Sequence, residues 1–198
     1  MSRSMYSYMA DAWKRPSSGD RTKVYRDRVY EWRNGQSFVR VDKPLRLDRA
    51  RALGYKAKTG FVIVRAKVRR GGLHKRRPIR GRHPKHTGIV KITMGKSIRR
   101  IAEERVQKHY PNLRILNSYW IGEDGMHKYF EVICVDPMRP EIRNDRTINW
   151  IVADNKKGRA QRGLTGAGKK GRGLYHKGKG AEKRRPSMHG KKNFGRGK

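Results

Sequence analysis

Negative charge, cysteine and long apolar runs are all scarce in this sequence. Over 198 residues, 16 Asp and Glu stand against 52 Lys and Arg, a formal net charge of +36. Between Asp48 and Glu103 there is no acidic residue at all. A charge of that size repels itself in a compact chain and calls for a polyanionic partner. The one cysteine, Cys134, excludes an intramolecular disulfide and suits a reducing compartment. It sits in the apolar run FEVICV, where a small buried thiol is expected rather than a nucleophile. No apolar run has bilayer-spanning length, and MSRSMYSYMADAW lacks the apolar centre of a signal peptide. A cytoplasmic chain with no membrane partner is expected. The cations crowd into Gly- and Pro-containing segments instead of lying opposite an apolar helix face, which disfavours a membrane surface and favours nucleic acid.

What is present divides into a patterned body and two unpatterned basic segments. Met5, Tyr8, Met9, Ala12 and Trp13 have helical spacing, so residues 1–19 are expected to hold a helix packed on the body. Tyr25, Val29 and Trp32 fall at i, i+4, i+7 of a second helix, with core the expected role of its aromatics. SFVRVDKP reads as a short edge strand, and LDRARALG as a short helix with Asp48 at its N-cap and Gly54 as its stop. GFVIVRAKV (60–68) is a strand. A helix runs from Ser97 through IRRIAEERVQKHY and ends before Pro111. NLRILNSYWIG and MHKYFEVICVD are two strands joined through GEDG. The pattern predicts an α+β fold: an antiparallel sheet of about four strands packed with helices, spanning residues 20–152.

Two segments cannot build a core of their own. RRGGLHKRRPIRGRHPKHTG (69–88) has no acid and only Leu73 and Ile79 as sizeable aliphatics. It lies in a basic loop, 69–90, expected to be mobile in the free protein. From Asp154 onward the chain is Gly/Lys/Arg-rich without lasting periodicity. Residues 153–198 are therefore expected to form an extended tail that orders only on RNA.

The motifs that would carry catalysis or metal binding are weak. GAGKKG (166–171) matches G-x-G-x-x-G, and Gly163 to Lys169 has the spacing of a phosphate loop. A nucleotide site needs a preceding strand, a following helix and a hydroxyl after the lysine, where Lys170 stands instead. His83 and His86, with His74 nearby, have no thiolate or carboxylate partner for zinc; they are expected to face solvent or RNA. Glu103 and Glu104 are adjacent on one helix and point to different faces, and Glu123 and Asp124 lie in a tight turn. No catalytic residue, metal site, cofactor or small-molecule substrate is expected, and an enzyme is not.

The positive signal is electrostatic. Each cation that neutralises a phosphate releases counterions, arginine adds planar bidentate recognition, and glycine permits close backbone approach. No helix-turn-helix, zinc finger or zipper is evident, whereas irregular Gly/Arg/Lys segments suit folded RNA. A DNA-compacting protein would also fit the charge but would not need a well-patterned sheet. An RNA-processing enzyme would need a carboxylate or histidine cluster.

Four blocks in order carry a family likeness: RLDRARALGYKAKTGFVIVRAKVRRGG (46–72), AEERVQKHYPNLRILNSYWIGEDG (102–125), YFEVICVDP (129–137) and RGLTGAGKKGRGL (162–174). Together they resemble the large-subunit ribosomal protein fifteen-e family of archaea and eukaryotes, with both termini similar to its archaeal branch. The resemblance implies a structural protein of the large ribosomal subunit, an α+β body on large-subunit rRNA, and neighbouring large-subunit ribosomal proteins as further partners. By block it implies RNA contacts at Arg65, Lys67, Arg69 and Arg70, at Lys75, Arg76, Arg77, Arg80, Arg82 and Lys85, and at Arg162, Lys169, Lys170 and Arg172. The remaining candidates are Arg49, Arg51, Lys56, Lys58 and Lys91 of the acid-free stretch, the histidines His74, His83 and His86, and Arg159, Lys177 and Lys179 of the tail. The chain departs from the family at Thr59, where glutamine is frequent, and at Lys169-Lys170, where arginine is.

Overall fold

A computed structural model describes residues 3–16, 18–90 and 92–175. Helices α1 (Met5–Lys14) and α2 (Arg21–Asn34) precede β1 (Phe38–Val41), α3 (Leu47–Ala52) and β2 (Phe61–Arg69). A long connection leads to α4 (Ile98–His109), β3 (Arg114–Glu123), β4 (His127–Val135), α5 (Pro140–Arg143) and α6 (Gly166–Gly171). The strands form one antiparallel sheet in the order β1-β2-β4-β3. This is the α+β architecture that the strand and helix patterning predicts, with β1 at an edge.

β4 sits inside the sheet, and both of its faces are covered. On one face Ile63, Tyr129, Ile133 and Val135 pack with Val29 and Trp32 of α2, Ala50 of α3, and Ile142, Ile148 and Ile151 from the chain after β4. On the other, Val64, Ala66, Val68, Phe130, Val132 and Cys134 meet Ala102 and Val106 of α4. Burial on both sides explains why Val132, Ile133, Cys134 and Val135 are all apolar, since a strand covered on one face would alternate. Cys134 is wholly buried, and burial pushes its thiol far above the ordinary range. It is a core residue.

Each face also buries one carboxylate. Glu131 accepts from the Tyr119 hydroxyl at 2.5 Å and from the Leu45 amide at 3.1 Å. Glu103 accepts from Ser118 and Thr165 hydroxyls, both at 2.5 Å, which ties α4 to β3 and to the start of α6. Burial raises the pKa of both carboxyls, opposed by these donors. Glu104, on the neighbouring face of α4, pairs instead with Lys96 and Arg100 at 2.6 and 2.9 Å.

Local signals fix the element ends. Ser97 caps α4 by accepting from the Arg100 amide. Gly54, with φ +95°, ends the short helix where expected. Its N-cap, however, is Arg46, and Asp48 lies in the first turn, 3.5 Å from that guanidinium. Trp13 of α1 lies beneath Arg46, 5.1 Å from the ring centroid, so the N-terminal helix meets α3. Between β3 and β4, Asp124 accepts from the amides of Met126 and His127, the Tyr129 hydroxyl and Arg33. Burial alone would raise its pKa; those donors outweigh it and hold the carboxyl at about 2.

The chain after residue 152 departs from expectation. Residues 153–175 are not an extended tail but pack onto the body, with Arg159, Ala160, Thr165, Ala167 and Gly168 buried. GAGKKG is a short helix, capped by Thr165, whose hydroxyl accepts from the Gly168 amide at 3.2 Å. A Cβ on Gly168 would stand 2.4 Å from Gly163 Cα, so the two backbones touch where only glycine fits. Polar bonds and backbone contact do here what apolar side chains do elsewhere, which is why composition misread the segment. The remainder of the expected tail, residues 176–198, lies outside the described residues.

Gly168→Ala should therefore destabilise the protein by about 1–3 kcal/mol in chemical denaturation, as overpacking does. Gly171→Ala, whose new methyl would have its nearest neighbour at 3.9 Å, should be neutral or better. The depressed Asp124 pKa predicts a pH signature. Its bonds stabilise the fold above the unfolded value near 4, and that contribution is lost as pH falls through about 2. Asp124→Asn should thus unfold more easily than the parent at pH 7, with the gap closing towards pH 2.

Candidate nucleic-acid interface

The basic loop leaves the sheet at the end of β2, and β2 itself shows how cations divide between body and surface. Alternate β2 side chains face α2. Arg65 lies over Trp32, 5.4 Å from the ring centroid and 3.6 Å from Glu31, with burial lowering its pKa. Lys67 donates to the carbonyls of Arg33 and Gly35 at 2.9 and 2.7 Å, capping the negative end of α2. Both are anchored to α2, although the resemblance implied RNA contacts there. Arg69 is exposed and unpaired among the described residues, while Arg70 donates to the Asp124 carbonyl at 2.6 Å.

Beyond Arg70 the chain exposes nearly everything it has. His74, Arg76, Arg77, Arg80, Arg82, His83, Lys85 and His86 are all exposed, and none has a side-chain partner among the described residues. Among the described residues, Lys75 reaches only the Val90 carbonyl, at 3.3 Å. The backbone bonds are local, as in the single turn Pro84–His86. Ile79 is 77% and Val90 85% exposed, so even the aliphatics find no core. Lys91 lies outside the described residues.

Flanking candidates divide the same way. Arg49, Lys169 and Lys170 are exposed and unpaired among the described residues. Arg51 bonds to the Tyr6 hydroxyl and lies over its ring. Lys56 and Lys58 hold Asp145 at 2.9 and 2.6 Å, and Thr59 donates to Glu141 at 2.7 Å. Lys58, Thr147 and Lys56 push the Asp145 carboxyl far below the usual range. Arg159 is buried, donating to the Ile115 carbonyl at 2.8 Å with Trp150 beneath it. Arg162 donates to the carbonyls of Asn155 and Lys157, and Arg172 to that of Gly163. Arg159, Arg162 and Arg172 thus bind the 153–175 segment together. Lys177 and Lys179 lie outside the described residues.

Sequence reasoning passed over other cations. Lys23, Arg26 and Arg28 on α2, and Arg105 and Lys108 on α4, are exposed without a side-chain partner among the described residues. They lie on mixed-charge helices, where an ordinary solvated face has the same pattern. Arg99 was missed for another reason: α4 turns it towards β3, where Ser118 and Asn117 hold it. No group of three His, Cys, Asp or Glu side chains converges as a metal site among the described residues. No described helix is long and apolar enough to cross a membrane.

The arrangement can clasp a polyanion: a rigid two-faced sheet presents an acid-free cationic strap that has nothing of its own to fold around. The profile of the family described as Ribosomal L15 matches residues 4–191. The large ribosomal subunit protein eL15 of Methanospirillum hungatei is 54% identical over 193 residues, covering 98% of each chain. Its counterpart in Methanocella arvoryzae is 52% identical over 188 residues, covering 95% of this chain and 96% of that one. The eL15 protein of Haloarcula marismortui is 50% identical over 198 residues, the whole of both chains. With nearly its full length matched, this chain belongs to the L15e family of ribosomal proteins and is of the archaeal type.

Proposed function

We propose that this protein is a structural constituent of the large ribosomal subunit and binds large-subunit rRNA by neutralising phosphates where RNA segments converge. The observation that carries the reading is the loop: a run of exposed cations with no acid and no core, held at both ends by a rigid body. The family and the names of the relatives supply the setting. Exposed arginines offer planar forks to phosphate oxygens, and each contact made to a single strand displaces about 0.7 of a counterion. The sheet then fixes where the strap begins and ends. Neighbouring ribosomal proteins are the other expected contacts, and the protein works bound to the ribosome, with no catalytic step.

In the free protein the amides of residues 71–88 should exchange with solvent almost without protection and become protected on rRNA. Protection without RNA would overturn the strut role. Replacing Arg76, Arg77, Arg80 and Arg82 together by Gln should flatten the salt dependence of rRNA binding by about 0.7 for each phosphate no longer neutralised, with thermal unfolding unchanged. Lys67→Met should do the reverse, lowering stability and leaving the salt slope as it was. In a cell lysate the chain should sediment with the large subunit through a moderate salt wash. Running free, or with DNA, would overturn the assignment.

A further inference from the structure

Where α3, the start of α4, β3 and α6 meet, they enclose a cleft of about 500 Å³, within the range of roughly 300–1,000 Å³ typical of small-ligand sites. Arg49 enters it from α3, Arg99 from α4 and Lys170 from α6, and among the described residues no acidic side chain lines it. Arg99 is held in place, its Nε donating to Ser118 Oγ and one terminal nitrogen to Asn117 Oδ1, both at 2.8 Å. Arg49 and Lys170 are exposed and have no side-chain partner among the described residues. Burial is the main influence lowering the Arg99 pKa; Glu103 opposes it and the nearby charge of Arg49 adds to it. Glu103 itself is fully engaged by Ser118 and Thr165. Glu103 compensates Arg99 from the buried side, while Arg49 and Lys170 on the open side have no such partner among the described residues, so an arriving anion would be stabilised there.

The cleft has shape as well as charge. Tyr175 lines it with its side chain largely open, at 60% exposure, its hydroxyl end beside Gly166. Leu53 adds an aliphatic wall, and Asn117 a neutral amide at the floor. A bare inorganic anion would use the cations and leave the aromatic and aliphatic walls idle. A nucleotide uses all of them, because arginine recognises phosphate bidentately and an open aromatic ring accepts the face of any base.

We infer that this cleft seats a single unstacked nucleotide of an RNA strand, its phosphate among Arg49, Arg99 and Lys170 and its base on Tyr175. The inference rests on the RNA-binding role proposed above and adds a defined pocket to what the loop does by charge alone. The site differs from a phosphate loop: Gly166–Gly171 follows a turn, not a strand, and contributes a wall and one lysine.

Adenosine 5′-monophosphate is the probe, titrated into the full-length, isotope-labelled protein at physiological salt. The Asn117 side-chain amide and the Gly166 and Gly171 backbone amides should shift together and saturate. The double variant Arg49→Ala, Lys170→Ala should weaken that binding about tenfold or more, as removal of charged hydrogen bonds does. Tyr175→Ala should weaken it at least about fivefold while leaving inorganic phosphate binding at the same amides unchanged. All these side chains are exposed, so the variants should keep the parent spectrum elsewhere. Shifts confined to residues 69–90, or shifts insensitive to every variant, would overturn the cleft. If the same preparations still bind large-subunit rRNA, the cleft alone has failed. If the parent chain does not bind that RNA, the ribosomal role and the cleft fall together.

Discussion

Scarcity of negative charge is the constraint on which this structure depends. With 16 acids against 52 cations, a compact body is possible only where the acids are concentrated and used. Most of them are. Asp124 gathers the β3–β4 connection, Asp145 neutralises Lys56 and Lys58, and Glu104 pairs with Lys96 and Arg100. Glu103 and Glu131 sit one on each face of the sheet, near the arginines that the body has to bury. Within the acid-free span from Asp48 to Glu103, the chain leaves the body after β2 and becomes surface.

That division explains why so many cations do not serve the surface at all. Arg65, Lys67, Arg159, Arg162 and Arg172 bond to carbonyls or lie over tryptophans within the protein. A long guanidinium stem packs like an aliphatic chain while its planar head satisfies several carbonyls at once. In a protein with a modest supply of apolar residues, arginine thus takes over part of the core's work. Among the described residues, the cations left without a partner lie on the loop, on α3 and α6, and on the outer faces of α2 and α4.

The 153–175 segment shows the same economy. Its docking relies on a buried hydroxyl–carboxylate bond, an arginine onto β3 carbonyls, and two glycine backbones in contact. None of these leaves an apolar periodicity in the sequence. Once docked, the segment brings Lys170 and Tyr175 beside residues far earlier in the chain, and a cleft appears that none of its four contributing elements possesses alone.

The fold was legible in the sequence wherever burial is periodic. The apolar residues of β4, the i, i+4, i+7 face of α2 and the start of α4 near Ser97 each state their role locally, because side-chain periodicity is a property of neighbours along the chain. The sequence by itself also determined the charge, +36, which repels itself in a compact chain and calls for a polyanionic partner. Tertiary structure alone decided which cations remain free. Arg65 and Arg69 lie in one strand and look alike in sequence, yet one is beneath α2 and the other is in solvent. The difference is set by what packs against each side chain, and packing joins residues that sequence spacing does not relate.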